Sequence, residues 1–536
     1  MGALRLRQGL RLAWARHSLA DSPRFARTGI GIVLFLLVVM PMMRYRALHS
    51  SFYDLGQYVT NYSGIAFDGL WSTAANTHLH LPMLVFAPIF RLAPSPVTLL
   101  LLQSASLIAG LFIYMRLWSL LGAGPSWIGA ALYGLALPVW FSALADYHFE
   151  HLLFPLYGLY AIALLREPRS SSLVLTALAF AICGIKEIYA LTAAMLGLLT
   201  ATLPGRRRTG IAIFAMSAVY FVAATSFVIP AFTDGRPIGD LWGGAFGYLG
   251  ATPGQMLMTL ITRPWVVLEA GNIPRKALFV TALALPFVYV VRGPWAWLLP
   301  AAPPAGIVLL SRSEAHIYLG HQYTVPVAIA LMVAAAVTLA RMSEPARSRW
   351  SMLSLAATAI VLVLFGPAPV SRLFFSSGAW AFNSRAYLPA ARDNRIRALI
   401  DEHVPTARSV VVAMQASLHT ARLSHRTHAI AFPQGIDTPI NVMRRAAILT
   451  HGSDTRRAPD GRSYAELAAR GLVMADYVVL DRRRPWMIAD RFCTWSSTEI
   501  CADPPLRALY LANSERLARH FERLAEHDGF EIWRRK

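Results

Sequence analysis

The side chains able to do chemistry sit in a few short polar stretches of an otherwise apolar chain. YDLGQY (53–58) sets Asp54 among apolar neighbours, where a carboxylate can act as a proton acceptor or simply cap a helix N-terminus. ADYHFEHL (145–152) places His148 and His151 three residues apart, with Asp146 and Glu150 flanking them. On a helix those imidazoles share a face, so Asp146, His148 and His151 form a candidate ligand set for a divalent metal. The spacing does not match HExxH, and a hydrogen-bonded helix start is the plain alternative. IKEIYAL (185–191) sets Lys186 and Glu187 at the join of two apolar segments. Lys186 suits a phosphate as a point charge, whereas a mutual salt bridge would account for both charges without a ligand. SRSEAHIYLGHQYTVP (311–326) adds Arg312, Glu314, His316, His321, Gln322 and Tyr323. His78 and His80, two residues apart, could share a metal only on an extended segment, and interfacial polar contacts are the commoner role.

The elements that position these groups are set by composition. Of 536 residues 56% are hydrophobic and 15% charged, and the mean hydropathy is +0.46. That is too apolar for an ordinary soluble domain and indicates a polytopic membrane protein. Three Cys exclude a disulfide framework or CxxC zinc module, and no GxxxxGK[ST] loop occurs. No cofactor is called for, beyond the candidate divalent metal. Eleven apolar stretches approach the length needed to cross a bilayer: 28–45, 97–120, 125–143, 150–165, 171–185, 188–203, 210–231, 277–292, 294–311, 322–341 and 350–369.

The net charge of +21 would suggest nucleic acid in a soluble protein; here it reads as orientation, with no nucleic-acid partner expected. Arg5, Arg7, Arg11, Arg16, Arg24 and Arg27 against Asp21 place the amino terminus (1–27) in the cytoplasm, with the first apolar segment as a retained signal anchor. Threading eleven crossings from there gives the inner connectors ten arginines against Glu167 and Glu344, while the outer side carries nine charges of each sign. The expected organisation is a membrane domain over 28–370 with outer loops 46–96 and 232–276, followed by a soluble extracytoplasmic domain over 371–536. Loop 232–276 contributes Arg236, Asp240, Arg263, Glu269, Arg275 and Lys276. His49, His78, His80, His148, His151, His316 and His321 all fall on the outer side, which is therefore the expected working face.

The terminal segment carries 25 Lys and Arg against 17 Asp and Glu and has no long apolar run. SVVVAM (409–414), HAIAF (428–432), DYVVLD (476–481) and FEIWRR (530–535) read as strands; 391–403, 463–471 and 506–526 read as helices. A small α/β domain is expected. Cys493 and Cys501 bracket a short polar loop where either a disulfide or two free thiols is compatible with an extracytoplasmic location, and Cys183 reads as packing in an apolar helix.

In order along the chain, YDLGQY (53–58), THLHLPMLVFAPIFRLAPSP (77–96), DYHFEHL (146–152), IKEIYAL (185–191) and HQYTVP (321–326) resemble the landmarks of a bacterial family of predicted membrane proteins, domain of unknown function 2079, related to the GT-C glycosyltransferases. The resemblance spans about residues 30–345, and the trailing DYVVLD domain is similar to those carried outside the membrane in this group. Tyr53 stands where the family has Phe, and Phe149-Glu150 where a Pro usually follows the Asp-Phe-His element.

The resemblance implies a mainly α, GT-C-like fold in the bacterial inner membrane. It also implies an enzyme that transfers a hexosyl or pentosyl group from a polyprenyl-phosphate donor to an extracytoplasmic glycan, lipid or protein acceptor, with inversion. GT-C enzymes use an acidic residue in the first outer loop, and Asp54 occupies that place as general base. Lys186 with Arg312 or His321 would face the phosphate; Glu187, Tyr323 and His80 would line the substrate site. The competing expectations are a transporter or flippase, which usually places binding groups near the bilayer midplane on interrupted helices, and a non-catalytic membrane assembly protein on the same scaffold.

Overall fold

The computed structural model describes residues 22–50, 55–75, 78–166, 168–232, 245–250, 252–376, 382–407, 410–414, 427–431, 475–483 and 517–536. Asp54, most of the amino-terminal tail, Arg236, Asp240, the expected helix 463–471, Cys493 and Cys501 lie outside them.

Every apolar stretch read as a crossing is helical, and their lengths divide them. Arg24–Arg46, Pro96–Leu121, Arg207–Phe232, Ile273–Arg292 and Glu344–Phe365 are long and apolar enough to cross a membrane. Ser126–Leu135 and Leu137–Leu144 qualify together as a pair bent by 53°. The bend falls at Ala136, whose ψ of 123° is extended, and Pro138 stands in the first turn beyond it. Phe149–Leu164, Ser171–Ile185, Tyr189–Ala201, Trp295–Leu310 and Thr324–Leu339 are shorter apolar helices. By length alone the described residues thus supply five crossings, or six with the bent pair. A helix of thirteen residues such as Tyr189–Ala201 is only about 20 Å long, less than a hydrocarbon core of about 30 Å. The outer segment 46–96 also contains a short apolar helix, Leu81–Leu92, that length arithmetic passed over.

Thr324–Leu339 forms the centre of the bundle, with all sixteen of its residues buried. A helix apolar on every side has no solvent face to keep, and its neighbours enclose it completely. Elsewhere the packing relies on small residues. A Cβ on Gly197 would meet Phe214 N at 2.6 Å and Gly210 O at 2.8 Å, so helices Tyr189–Ala201 and Arg207–Ala223 touch backbone to backbone.

Beyond the membrane helices, β1 (Val411–Met414), β2 (His428–Ala431), β3 (Tyr477–Asp481), β4 (Phe521–His527) and β5 (Phe530–Arg535) form one sheet in the order β2-β1-β3-β5-β4. β1 pairs in parallel with β2 and β3, whereas β5 runs antiparallel to β3 and β4. Helix Ala391–His403 packs Ile396, Leu399 and Ile400 against Val412, Met414, Val479, Phe530 and Ile532. The expected helix over 506–526 is corrected at its end: residues 521–527 are strand β4. Asp528 (φ 51°) and Gly529 (φ 81°) adopt the left-handed conformations of a tight hairpin turn, and FEIWRR supplies the partner strand. Cross-strand pairing there overrides a helix-like composition.

Leu48 joins this sheet's core although it directly follows the first membrane helix. It is buried beside Ile396, Val412 and Phe530, with a φ of 58°, unusual for a branched residue. The segment is held on both sides. Arg44 donates to the carbonyls of His49 and Leu144 and lies over the Phe382 ring at 5.2 Å, and Arg397 donates to the Arg46 carbonyl.

Candidate functional site

The polar stretches meet where helices begin or break. Helix Pro168–Ile185 ends at Ile185 and the chain turns through Lys186, Glu187 and Ile188 before helix Tyr189–Ala201 starts. The turn faces adjacent residues in different directions. Lys186 Nζ lies 3.8 Å from Glu150 Oε1 and 5.7 Å from the centre of the Tyr323 ring. Glu187 turns instead to the segment before helix Leu81–Leu92: Oε1 accepts from His78 Nδ1 at 2.7 Å and Oε2 accepts the Leu79 backbone N–H at 3.0 Å. Lys186 and Glu187 are both buried, and the mutual bridge considered from their adjacency gives way to two partners brought from distant segments. A buried carboxylate needs its donors supplied by fold, and Glu187 receives two.

His80 N–H donates to Ala74 O at 2.8 Å, while its ring Nδ1 donates to Ile185 O at 2.7 Å, a carbonyl exposed by the helix end. Glu150 enters from the 3-10 turn Phe149–Leu152. Its Oε1 accepts the Tyr189 hydroxyl at 3.1 Å, whereas Oε2 is buried with no hydrogen-bond partner among the described residues. Tyr58, in helix Gln57–Asp68, sets its ring edge-on against Tyr147, His148, Phe149 and His80, with centroids 5.2–6.0 Å apart. Gln103, buried in helix Pro96–Leu121, accepts the His148 backbone N–H at 3.1 Å.

The structure therefore brings together Lys186, Glu187, His80 and Tyr323, with His78 and His148. Arg312 stands apart, exposed, with its guanidinium 4.2 Å above the Tyr248 ring and bonded to Glu269 O. His316 links the two regions: its ring is 4.5 Å from Tyr323 and stacks on Phe246 at 5.7 Å. His321 packs on Tyr318 at 5.1 Å. Tyr189, Tyr58 and Gln103 are participants that the sequence did not single out, and Glu150, read there only as a flank of the two histidines, is central. The available signals were Tyr189 two residues beyond Glu187, and a Gln inside a membrane helix, where an unpaired amide is costly.

The expected metal set Asp146, His148 and His151 is not brought together as a group among the described residues. No group of three His, Cys, Asp or Glu side chains is placed to hold an ion among the described residues. His148 Nδ1 donates to the Asp146 main-chain carbonyl, and His151 packs against the Tyr147 ring at 5.2 Å with neither ring nitrogen hydrogen-bonded among the described residues. Residues i and i+3 share a face on an α-helix. Here His148 has extended backbone and His151 lies on a 3-10 turn, so the α-helical i, i+3 relationship does not hold.

Taken together, these features define a membrane protein with several apolar spans and a buried ionisable cluster at its helix breaks. The chain belongs to the predicted membrane protein family DUF2079, whose model matches residues 45–447. No curated protein matches it. Among solved structures it is similar to a crystal structure of ArnT from Cupriavidus metallidurans bound to undecaprenyl phosphate, at 15% identity and a TM-score of 0.49, covering 94% of this chain and 97% of that chain.

Proposed function

We propose that this protein is a membrane glycosyltransferase that moves a sugar from a polyprenyl-phosphate donor to an extracytoplasmic acceptor with inversion at the anomeric carbon. The main support is the convergence of Glu150, Lys186, Glu187, His78 and His80 next to Tyr58, four residues after Asp54 in a family whose motifs resemble GT-C enzymes. Ionisable groups are costly inside a membrane protein, and a cluster of them at helix breaks is expected to serve a polar substrate.

In this reading Asp54 takes the proton of the acceptor hydroxyl as its oxygen attacks the anomeric carbon. The bond from that carbon to the phosphate oxygen breaks, and lipid phosphate leaves with the electron pair. Arg312, exposed and without a carboxylate on its guanidinium among the described contacts, faces the departing phosphate. Lys186 contributes from within while neutralised in part by Glu150, and His321 is the further phosphate-side candidate. Glu187 holds the His78–Leu79 segment, and His80 and Tyr323 line the sugar side. The donor's lipid tail remains in the bilayer. The proposed topology is eleven crossings, with shorter helices completed by their flanking segments. It leaves 1–27 in the cytoplasm and 371–536 as an α/β domain outside the inner membrane.

The test is Asp54→Asn in the full chain. Expression and thermal unfolding should match the parent while transfer from a polyprenyl-phosphate sugar falls by a factor on the order of 100 or more. Unchanged turnover would sink the assignment. One feature favours a second reading: Lys186 and Glu187 are fully enclosed at an interrupted helix, the setting in which transporters bind substrates. Donor-independent movement of substrate in proteoliposomes would select a transporter or flippase instead.

A further inference from the structure

A second polar site lies at the far end of the bundle. Helix Thr324–Leu339 starts beside Tyr323 of the ionisable cluster, and sixteen residues later, about 24 Å away, its last turn borders a cavity of about 220 Å³. Arg292 and Arg341 both line it, with Thr338, Gly293, Ala346 and Trp350. Neither guanidinium makes an ion pair among the described residues; that of Arg292 lies 6.0 Å from the centre of the Trp350 ring. No carboxylate lines the cavity, Glu344 in the next helix's first turn included.

The walls are closely packed. A Cβ on Gly293 would meet Thr338 Oγ1 at 2.0 Å, so the Arg292–Gly293 turn is pressed onto the central helix. Tyr289 packs on Trp350 at 5.4 Å from behind. Ala346 belongs to the first turn of helix Glu344–Phe365, where main-chain N–H groups lack intrahelical partners and favour an anion. Val291 and Trp295, beside the Arg292–Gly293 turn, and Met352 and Leu353, just beyond Trp350, leave large apolar surfaces exposed, as lipid chains require.

We propose that this cavity binds the phosphodiester headgroup of an anionic membrane lipid, with Arg292 and Arg341 on the phosphate oxygens and the acyl chains along the apolar rim. Two guanidiniums lining one cavity match a phosphate in charge, and basic pockets between membrane helices bind such headgroups. The assignment does not depend on the glycosyltransferase reading.

Native mass spectrometry of the detergent-solubilised full chain tests it, with phosphatidylglycerol, phosphatidylcholine and inorganic phosphate as probes. Phosphatidylglycerol should be retained in preference to phosphatidylcholine, and Arg292→Gln/Arg341→Gln should weaken that retention roughly tenfold or more. Ala346→Asp, a residue suited to a helix's first turn, puts a carboxylate beside the guanidiniums and should weaken it as well; this variant decides the matter if the double variant does not fold. Equal retention of the two lipids, or retention unaffected by the substitutions, overturns the proposal. Displacement of phosphatidylglycerol by millimolar inorganic phosphate would make the ligand a free anion and overturn the lipid assignment.

Discussion

His78 Nδ1 donates to Glu187 Oε1 at 2.7 Å across 109 residues of chain. This contact joins the segment entering helix Leu81–Leu92 to the turn between two other helices. Glu187→Ala removes the acceptor of two donors, and should lower stability by about 3 kcal/mol, since breaking a buried polar pair leaves its partners unsatisfied. Glu187→Gln, which still accepts the Leu79 N–H, should cost less. Thermal unfolding of the purified variants in detergent ranks them, and equal losses would show that the retained hydrogen bond contributes nothing once the charge is gone.

Glu150 offers one oxygen to Tyr189 and Lys186 and keeps the other unbonded among the described residues. If that free oxygen meets substrate hydroxyls, Glu150→Gln should raise KM for the acceptor more than it lowers kcat, by about tenfold, because a uniformly bound contact is lost. Tyr189→Phe removes only the supporting hydrogen bond and should act several-fold more weakly. Equal effects of the two on kcat would argue against substrate contact.

Leu48 ties the end of the first membrane helix into the sheet's core. Leu48→Ala should destabilise that core by about 3 kcal/mol, and limited proteolysis of the full chain should then cut the residues beyond 382 faster while the membrane helices stay intact. An unchanged cleavage rate would mean that the sheet holds without its insert.

The proposed orientation makes opposite ends of the bundle accessible from opposite sides. With Cys183, Cys493 and Cys501 replaced by Ser, Arg263→Cys should react with an impermeant maleimide on intact cells or spheroplasts, and Arg349→Cys only after permeabilisation. Both positions are exposed. Labelling from the same side refutes the eleven-crossing path.

The amino-acid sequence by itself determined most of the helices and strands. Apolar runs located the membrane helices to within a few residues, helix Ala391–His403 coincides with its expected span, and β1, β2, β3 and β5 fall on the expected runs. These are consequences of local patterning, legible in a window of ten to twenty residues. Tertiary structure alone decided which polar groups meet. It gave Glu187 to His78 rather than to neighbouring Lys186, enclosed Glu150, put His148 and His151 on extended and 3-10 backbone instead of one helix face, placed Leu48 in a sheet more than 340 residues away, and made 521–527 a strand. Each outcome depends on where a helix stops and which face its successor presents, and no local spacing encodes that.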